Sequence, residues 1–179
     1  MKTRYLIILT LPFLLSCNTD DDGSDLIGNW TERSVFDGTP RSGASAFTIG
    51  DIGYMGTGYD GDDYLNDFWA YDMNGDFWSQ KADFPGSGRS AAVGFAINNT
   101  GYIGSGYDGD IELGDFYVYN AANNSWDTIA PFAGTPRRGA IAFNSTDVGY
   151  VGTGFDGDND KKDFWNLCPR VGPWFIFPE

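Results

Sequence analysis

Apolar and glycine-rich positions recur along this chain at a fixed interval of 48 residues. The stretch GYMGTGYDG at 53–61 returns as GYIGSGYDG at 101–109 and as GYVGTGFDG at 149–157. Three further kinds of position keep the same interval: an aspartate before two aromatic residues (Asp67, Asp115, Asp163), an arginine (Arg41, Arg89, Arg137) and a tryptophan (Trp30, Trp78, Trp126, Trp174). A register kept at four kinds of position indicates a repeat protein, and this period is typical of a solenoid, a propeller or an array.

Each period predicts four short strands separated by turns rich in Gly, Pro, Asn and Asp. In the first copy the predicted strands are 30–36, 43–49, 53–59 and 67–72. The second strand is built of small residues, which suits the crowded place where radial sheets converge. Alternate glycines in the third strand predict the close approach of another backbone. Four strands per period, with no helical periodicity after the first sixteen residues, describe one blade of a β-propeller.

The repeat resembles the kelch repeat, the unit of propellers such as the central domain of galactose oxidase. A tyrosine and a tryptophan follow the glycine-rich strand at the kelch spacing, as Tyr71 with Trp78 and Tyr119 with Trp126. The adjacent glycine pair of the family is replaced here by Gly-Thr-Gly or Gly-Ser-Gly. The resemblance covers residues 26–165 and implies an all-β, kelch-type β-propeller over 26–179.

The blades predicted in this way are 30–72, 78–120 and 126–167, with the start of a further blade at 174–179. The third copy lacks its tyrosine after Trp165 and carries Pro169 and Pro173, which weaken a strand. The chain therefore predicts an incomplete propeller of about three and a half four-stranded blades, whereas propellers close with about 4–8. Such a chain either forms a homo-oligomer that closes the propeller or is a truncated member of a longer family, and the second reading is favoured.

Residues 1–16 predict a signal peptide, since a basic start precedes an apolar run of eleven residues that is too short to span a bilayer. The sequence Leu-Leu-Ser-Cys ending at Cys17 resembles the lipobox of bacterial lipoproteins and implies acylation of Cys17. An ordinary secretory signal is the alternative.

Residues 17–25 are polar and acidic, which predicts a disordered tether. An acidic run after a lipidated cysteine also resembles an export tag for surface lipoproteins. The predicted location is therefore the outer membrane, lipid-anchored at the cell surface, with a spacer on the periplasmic side as the alternative.

The charge of the chain excludes some partners. The net charge is −14, and it becomes −16 if Lys2 and Arg4 leave with the signal peptide. Nucleic acid needs a basic face, so it is not a predicted partner. Contact with the membrane is expected only through the lipid anchor. Cys168 is the only cysteine besides Cys17, so there is no disulfide framework.

The repeated arginines are candidate ligand-binding residues. Kelch propellers that bind acidic peptides carry arginines at the mouth of the central channel, and this likeness implies a cationic arc of Arg41, Arg89 and Arg137. Guanidinium groups suit bidentate contact with carboxylates or acidic sugars. The alternative is that each arginine pairs with an aspartate of a neighbouring turn and orders the loop.

The acidic loops are weak candidates for calcium, the one cofactor considered. Oxygen ligands at alternate positions around a glycine resemble the first half of a calcium loop. The candidate ligands are Asp60, Asp62, Asp108, Asp110, Asp156, Asp158 and Asp160. Because no copy carries the distal glutamate, solvated loops without metal are the alternative.

Catalysis has little support in the sequence. The absence of histidine excludes a Ser-His-Asp triad, imidazole ligands and the copper chemistry of kelch-type oxidases. Apart from the tail, no blade stands out from the others as an enzyme site would. The predicted function is therefore a non-enzymatic binding or scaffold module for a protein or glycan. A kelch-type enzyme on acidic sugars, similar to a sialic acid mutarotase, and a non-functional truncated remnant are the alternatives.

Overall fold

The computed structural model describes residues 28–169 and 172–176. The predicted signal peptide, Cys17 and the acidic tether at 17–25 lie outside these residues and stay predictions. The chain divides into two units, Met1–Glu32 and Arg33–Glu179, and all the strands lie in the second. In the described part no helix is long and apolar enough to cross a membrane.

Among the described residues, twelve strands form three antiparallel sheets of four strands each. Blade one contains β1 (Ser45–Ile49), β2 (Ile52–Gly56), β3 (Phe68–Asp72) and β4 (Phe77–Gln80). Blade two contains β5 (Val93–Ile97), β6 (Thr100–Gly104), β7 (Phe116–Asn120) and β8 (Ser125–Ile129). Blade three contains β9 (Ile141–Asn144), β10 (Gly149–Gly152), β11 (Phe164–Cys168) and β12 (Gly172–Ile176).

Within each blade the strands follow chain order, and β1, β5 and β9 pack next to one another as the inner strands. This arrangement confirms the predicted all-β class and an incomplete kelch-type propeller. The small residues of these strands suit that convergence.

The predicted blade boundaries are one strand out of phase with the sheets. Residues 33–36, predicted as part of the first strand of a blade, form no strand. Trp78 and Trp126, predicted to begin the next two blades, lie instead on β4 and β8, the last strands of their sheets. The reason is cross-strand pairing: Trp78 lies opposite Tyr71 and Trp126 opposite Tyr119 in adjacent antiparallel strands.

The half blade predicted at 174–179 is likewise corrected. Residues 172–176 pair with β11 through a register shift at Asn166 and Cys168, so they complete blade three. The described chain therefore holds three blades.

Aromatic side chains fill the space between consecutive blades. Phe47, Tyr54 and Phe68 of blade one form one buried cluster with Ile103 and Tyr119 of blade two. The rings of Phe68 and Tyr119 meet edge to face with centroids 4.8 Å apart. The equivalent residues of blades two and three form the second cluster, namely Phe95, Tyr102, Phe116, Val151 and Leu167. Packing between blades thus repeats with the sequence.

Glycines make this packing possible, but the atoms that approach them belong to rings. A Cβ on Gly101 would lie 2.1 Å from the ring of Phe47, and one on Gly149 would lie 2.2 Å from the ring of Phe95. The predicted approach of a backbone is therefore wrong at these two positions, but it is confirmed at Gly106, where a Cβ would lie 2.8 Å from the carbonyl oxygen of Ser90. The bare face of the glycine-rich strand receives the phenylalanine of the preceding blade.

We predict that Phe68→Ala destabilises the protein by about 3–5 kcal/mol, because it removes a fully buried ring from the first inter-blade cluster. Phe77→Ala is the matched control, since Phe77 is 52% exposed and should change stability by no more than about 0.5 kcal/mol. Urea unfolding followed by tryptophan fluorescence measures both. Equal losses would contradict the assignment of the core.

Candidate functional site

The three repeated arginines lie inside their own blades, each paired with the aspartate just before the third strand. Arg89 Nη2 donates to Asp115 Oδ2 at 2.9 Å, and Nη1 donates to Oδ1 of the same carboxylate. Arg41 pairs in the same two-pronged manner with Asp67, and Arg137 does so with Asp163. The side chains of Arg89 and Arg137 are fully buried.

Backbone carbonyl groups and a phenylalanine ring make further contacts with each guanidinium. Arg89 also donates to the carbonyls of Ser87 and Ser105, at 3.0 and 3.1 Å. Its guanidinium carbon lies 4.8 Å from the ring centroid of Phe84, a cation–π contact. The other two arginines repeat this arrangement with Phe36 and Phe132.

The pairing lowers the pKa of each of the three aspartates. Hydrogen bonds from Arg137 are the largest cause at Asp163, and they lower its pKa to about 2 against the opposing effect of burial. Trp165 Nε1 also donates to Asp163 Oδ2, at 2.6 Å. At Asp67 and Asp115 burial raises the pKa, but the hydrogen bonds from their arginines outweigh it and the net shift is downward.

These contacts match the alternative given for the repeated arginines, in which each pairs with an aspartate, rather than a shared cationic arc. Arg41, Arg89 and Arg137 are not brought together on one cavity; each joins the loop before its blade to the start of the third strand. Their role in ligand binding stays a prediction, and it carries no part of the function proposed below.

The acidic loops are ordered by turns of their own. Asp60 Oδ1 accepts from the backbone N–H groups of Asp62 and Asp63, at 2.9 and 2.8 Å. Asp108 and Asp156 make the same turn in the other two blades. Among residues 28–169 and 172–176, no group of three carboxylate or thiol side chains gathers as a metal site requires. The structure therefore does not bring the calcium candidates together.

The clearest asymmetry among the loops lies at the position after the repeated arginine. This position is Ser42 in blade one and Ser90 in blade two, but Arg138 in blade three. All three form a backbone bridge to the aromatic residue of the glycine-rich stretch in their own blade. Blade three therefore presents a guanidinium where the others present a hydroxyl.

Arg138 reaches back to blade two. Its guanidinium carbon lies 4.5 Å from the ring centroid of Tyr107 and 5.1 Å from that of Phe155. One nitrogen, Nη1, lies 3.1 Å from Glu112 Oε1. The side chain is 38% exposed, in contrast to the buried Arg137 beside it. Arg138 therefore keeps part of its guanidinium open to solvent.

A cavity of about 520 Å³ adjoins this arginine. Its lining residues include Arg138, Phe155, Asp160 and Lys161. Lys161 Nζ lies 2.7 Å from Asp156 Oδ2, which orients the ammonium within the loop. The cavity thus places two cations beside an aromatic ring and a carboxylate. It is the candidate site.

The sequence interpretation that no blade differs from the others is corrected here. Arg138 was visible beside Arg137, and the signal for it was the pair of serines found 48 and 96 residues earlier. Glu112 has Tyr64 and Asp160 as its counterparts, which is a second difference at the same place. Sequence reasoning could not show that these two departures meet, because they belong to different blades.

No family model matches this chain, and no curated protein matches it. A solved structure titled "Structure of YjhT" matches with a TM-score of 0.67 and 18% identity, over 76% of this chain and 51% of that one. YjhT is a kelch-type sialic acid mutarotase. At this identity the likeness shows the fold alone. The chain spans about half the length of that neighbour.

This comparison corrects the expectation that the protein is not an enzyme. The neighbour is an enzyme built on the same kind of propeller, so the fold gives no ground for excluding catalysis. The absence of histidine excludes only imidazole-dependent chemistry.

We predict that Arg89→Ala destabilises the protein by about 2–3 kcal/mol, because it removes a fully buried side chain whose hydrogen bonds go to the Asp115 carboxylate and to the carbonyls of Ser87 and Ser105. Arg33→Ala is the matched control, since Arg33 is exposed and lies 3.9 Å from Asp76, so its loss should cost at most about 1 kcal/mol. Chemical unfolding at pH 7 compares the two variants. Similar losses would contradict a structural role for the buried pair.

We also predict that stability is lost in acid. The folded state holds the pKa of Asp163 at about 2, below its usual value of 3.8, so the unfolded state binds protons first as the pH falls. The stabilisation is present above about pH 4 and is lost as the pH falls toward about 2. Asp163→Asn should be less stable at pH 7 and should show a weaker pH dependence below pH 4. Unfolding curves from pH 2 to 7 measure this, and parallel curves for the two proteins would contradict the prediction.

Proposed function

We propose that this protein acts on an acidic sugar, with Arg138 as the residue that binds the substrate carboxylate. The observation that carries the proposal is the replacement of serine by a part-exposed arginine in one blade, next to Glu112 of the neighbouring blade. Repeated features maintain the blades, whereas a feature present once is free to serve a ligand.

The charges near the cavity suit an acid rather than a neutral sugar. Arg138 has donors beyond the one directed at Glu112, and guanidinium binds carboxylate through two parallel hydrogen bonds. Lys161 adds a second positive charge to the cavity wall. Glu112, Asp156 and Asp160 offset these two charges, so the attraction for a carboxylate comes from the donors of Arg138 that Glu112 does not take up.

The groups present also suit interconversion of sugar anomers. Ring opening removes a proton from the anomeric hydroxyl and delivers a proton to the ring oxygen as the bond between that oxygen and the anomeric carbon breaks. Closure on the other face of the carbonyl reverses both transfers, so nothing is consumed. A carboxylate within reach can carry the proton, and Glu112 and Asp160 are the candidates beside Arg138. This chemistry requires neither histidine nor metal.

The neighbour supports this choice of reaction. YjhT is a sialic acid mutarotase with a propeller of the same type, and this chain matches about half of it. The proposal for the whole activity therefore rests on the likeness of fold together with the residues at Arg138.

The location is part of the proposal. We place the protein at the outer membrane, held by acylated Cys17 and the acidic tether at 17–25, with the cell surface as the exposed side. Metabolic labelling with a palmitate analogue tests the anchor, and loss of label in Cys17→Ser is the expected result.

The activity is tested with N-acetylneuraminic acid by NMR, which follows exchange between its two anomers. We expect the protein to accelerate exchange above the spontaneous rate. Arg138→Ser installs the residue of the other two blades, and we expect it to lower kcat/KM by about 10–100-fold, the effect of losing a charge-assisted hydrogen bond.

Arg33→Ala is the control, since it removes an exposed arginine at another place. Exchange at the spontaneous rate with the unmodified protein would reject the reaction. Acceleration that Arg138→Ser leaves unchanged would reject the site.

A further inference from the structure

The two ends of the described blades expose complementary halves of a packing arrangement that the chain makes twice within itself. At each internal junction a phenylalanine of one blade covers a glycine of the next, Phe47 on Gly101 and Phe95 on Gly149. The pattern leaves one phenylalanine, Phe143, at the far side of blade three.

Phe143 has the same stacking partner within its blade as Phe47 and Phe95 have, but its ring is exposed. It is 50% exposed, whereas Phe47 is 7% and Phe95 is 3% exposed. It stacks on Tyr150 at 5.2 Å between centroids, as Phe47 stacks on Tyr54 at 5.3 Å. Beside it Ile141 is also 50% exposed.

Blade one offers the matching glycine. A Cβ on Gly53 would find its nearest neighbour, the end of the Met73 side chain, at 3.5 Å, so there is room for a group there. Met55 and Tyr71 flank the glycine in the registers that Ile103 and Tyr119 hold in blade two. Ile103 and Tyr119 are buried, whereas Met55 and Tyr71 are only half-buried.

The backbone repeats the same unfinished pattern. Gly58 N–H donates to the carbonyl of Arg89 at 2.6 Å, and Gly106 N–H donates to that of Arg137 at 2.7 Å. Gly154 N–H makes no such bond within the part of the chain that the structure describes, and in a ring closed on blade one its partner would be the carbonyl of Arg41. On blade three, the Phe143 side chain and the Gly154 backbone therefore both lack a neighbouring blade to pack against.

We propose that a second copy of this chain supplies it. Blade three of each copy packs on blade one of the other, with Phe143 over Gly53, and two such junctions close a ring of six blades. The junction continues an arrangement already made twice, which is the reason to choose a second copy as the occupant. A two-fold axis makes both junctions identical, as is usual in protein dimers.

Closure is compatible with the candidate site but does not depend on it. At the new junction Ser42 of the second copy takes the place that Arg138 has at the junction of blades two and three. Its side chain is too short to fill the cavity as an arginine would. The two proposals can therefore fail separately.

The test is the mass of the full chain, measured by sedimentation equilibrium in density-matched detergent at 0.15 M salt. We expect twice the mass of one chain, which is 19.6 kDa before processing. Phe143→Ala removes the exposed ring, and Gly53→Val fills the space that receives it. Each should weaken association at least tenfold while the circular dichroism spectrum stays unchanged, because Phe143 is 50% exposed and a Cβ at position 53 would meet no atom closer than 3.5 Å.

Phe77→Ala is the control, since it removes an equally exposed phenylalanine from the last strand of blade one. It should leave the dimer intact. A monomer at every concentration would overturn the proposal. So would a dimer that persists in both Phe143→Ala and Gly53→Val, or open polymers that lengthen with concentration.

Discussion

The packing of a phenylalanine ring on a bare glycine is the contact on which the rest of this structure depends. The blades are small four-stranded sheets, and a single sheet of this size cannot bury both of its faces. A ring reaches into the next blade only where no Cβ stands in its way, as Gly101 and Gly149 show. The repeated glycines are therefore required by the contact between blades, and any uncovered copy of the contact marks an unfinished edge.

The buried arginines illustrate how repetition conceals function in such a fold. A charged residue that recurs three times invites interpretation as a ligand site, but a buried guanidinium needs a partner and finds one in the aspartate of its own blade. Ion pair, carbonyls and aromatic ring together make Arg89 part of the core. Arg138 has no arginine counterpart in the other two blades, makes a single ion pair among the described residues, and remains part-exposed. In a repeat protein the departure from the repeat deserves more weight than the repeat itself.

The comparison with YjhT and the geometry of the third blade address different questions. The likeness establishes a kelch-type propeller, and the mutarotase activity belongs to the neighbour. The site around Arg138 comes from this chain alone. The reaction is proposed because a carboxylate-binding cation and a proton-carrying carboxylate are the groups that the reaction needs, and both lie within one junction.

Much of the fold followed from the sequence, since strands and hairpins depend on residues close together in the chain. Alternation, turn residues and the 48-residue period were sufficient to predict four strands per repeat and a propeller. The period alone could not set the phase: Trp78 joins the sheet of Tyr71 because the two strands pair, and the same spacing would fit a blade that begins at the tryptophan. Contacts distant along the chain were decided only in three dimensions. Arg89 meets Asp115 across 26 residues, and Arg138 meets Glu112 from another blade. The first pair depends on how the loops fold within one blade and the second on how two blades pack, and neither is set by residues close together in the chain.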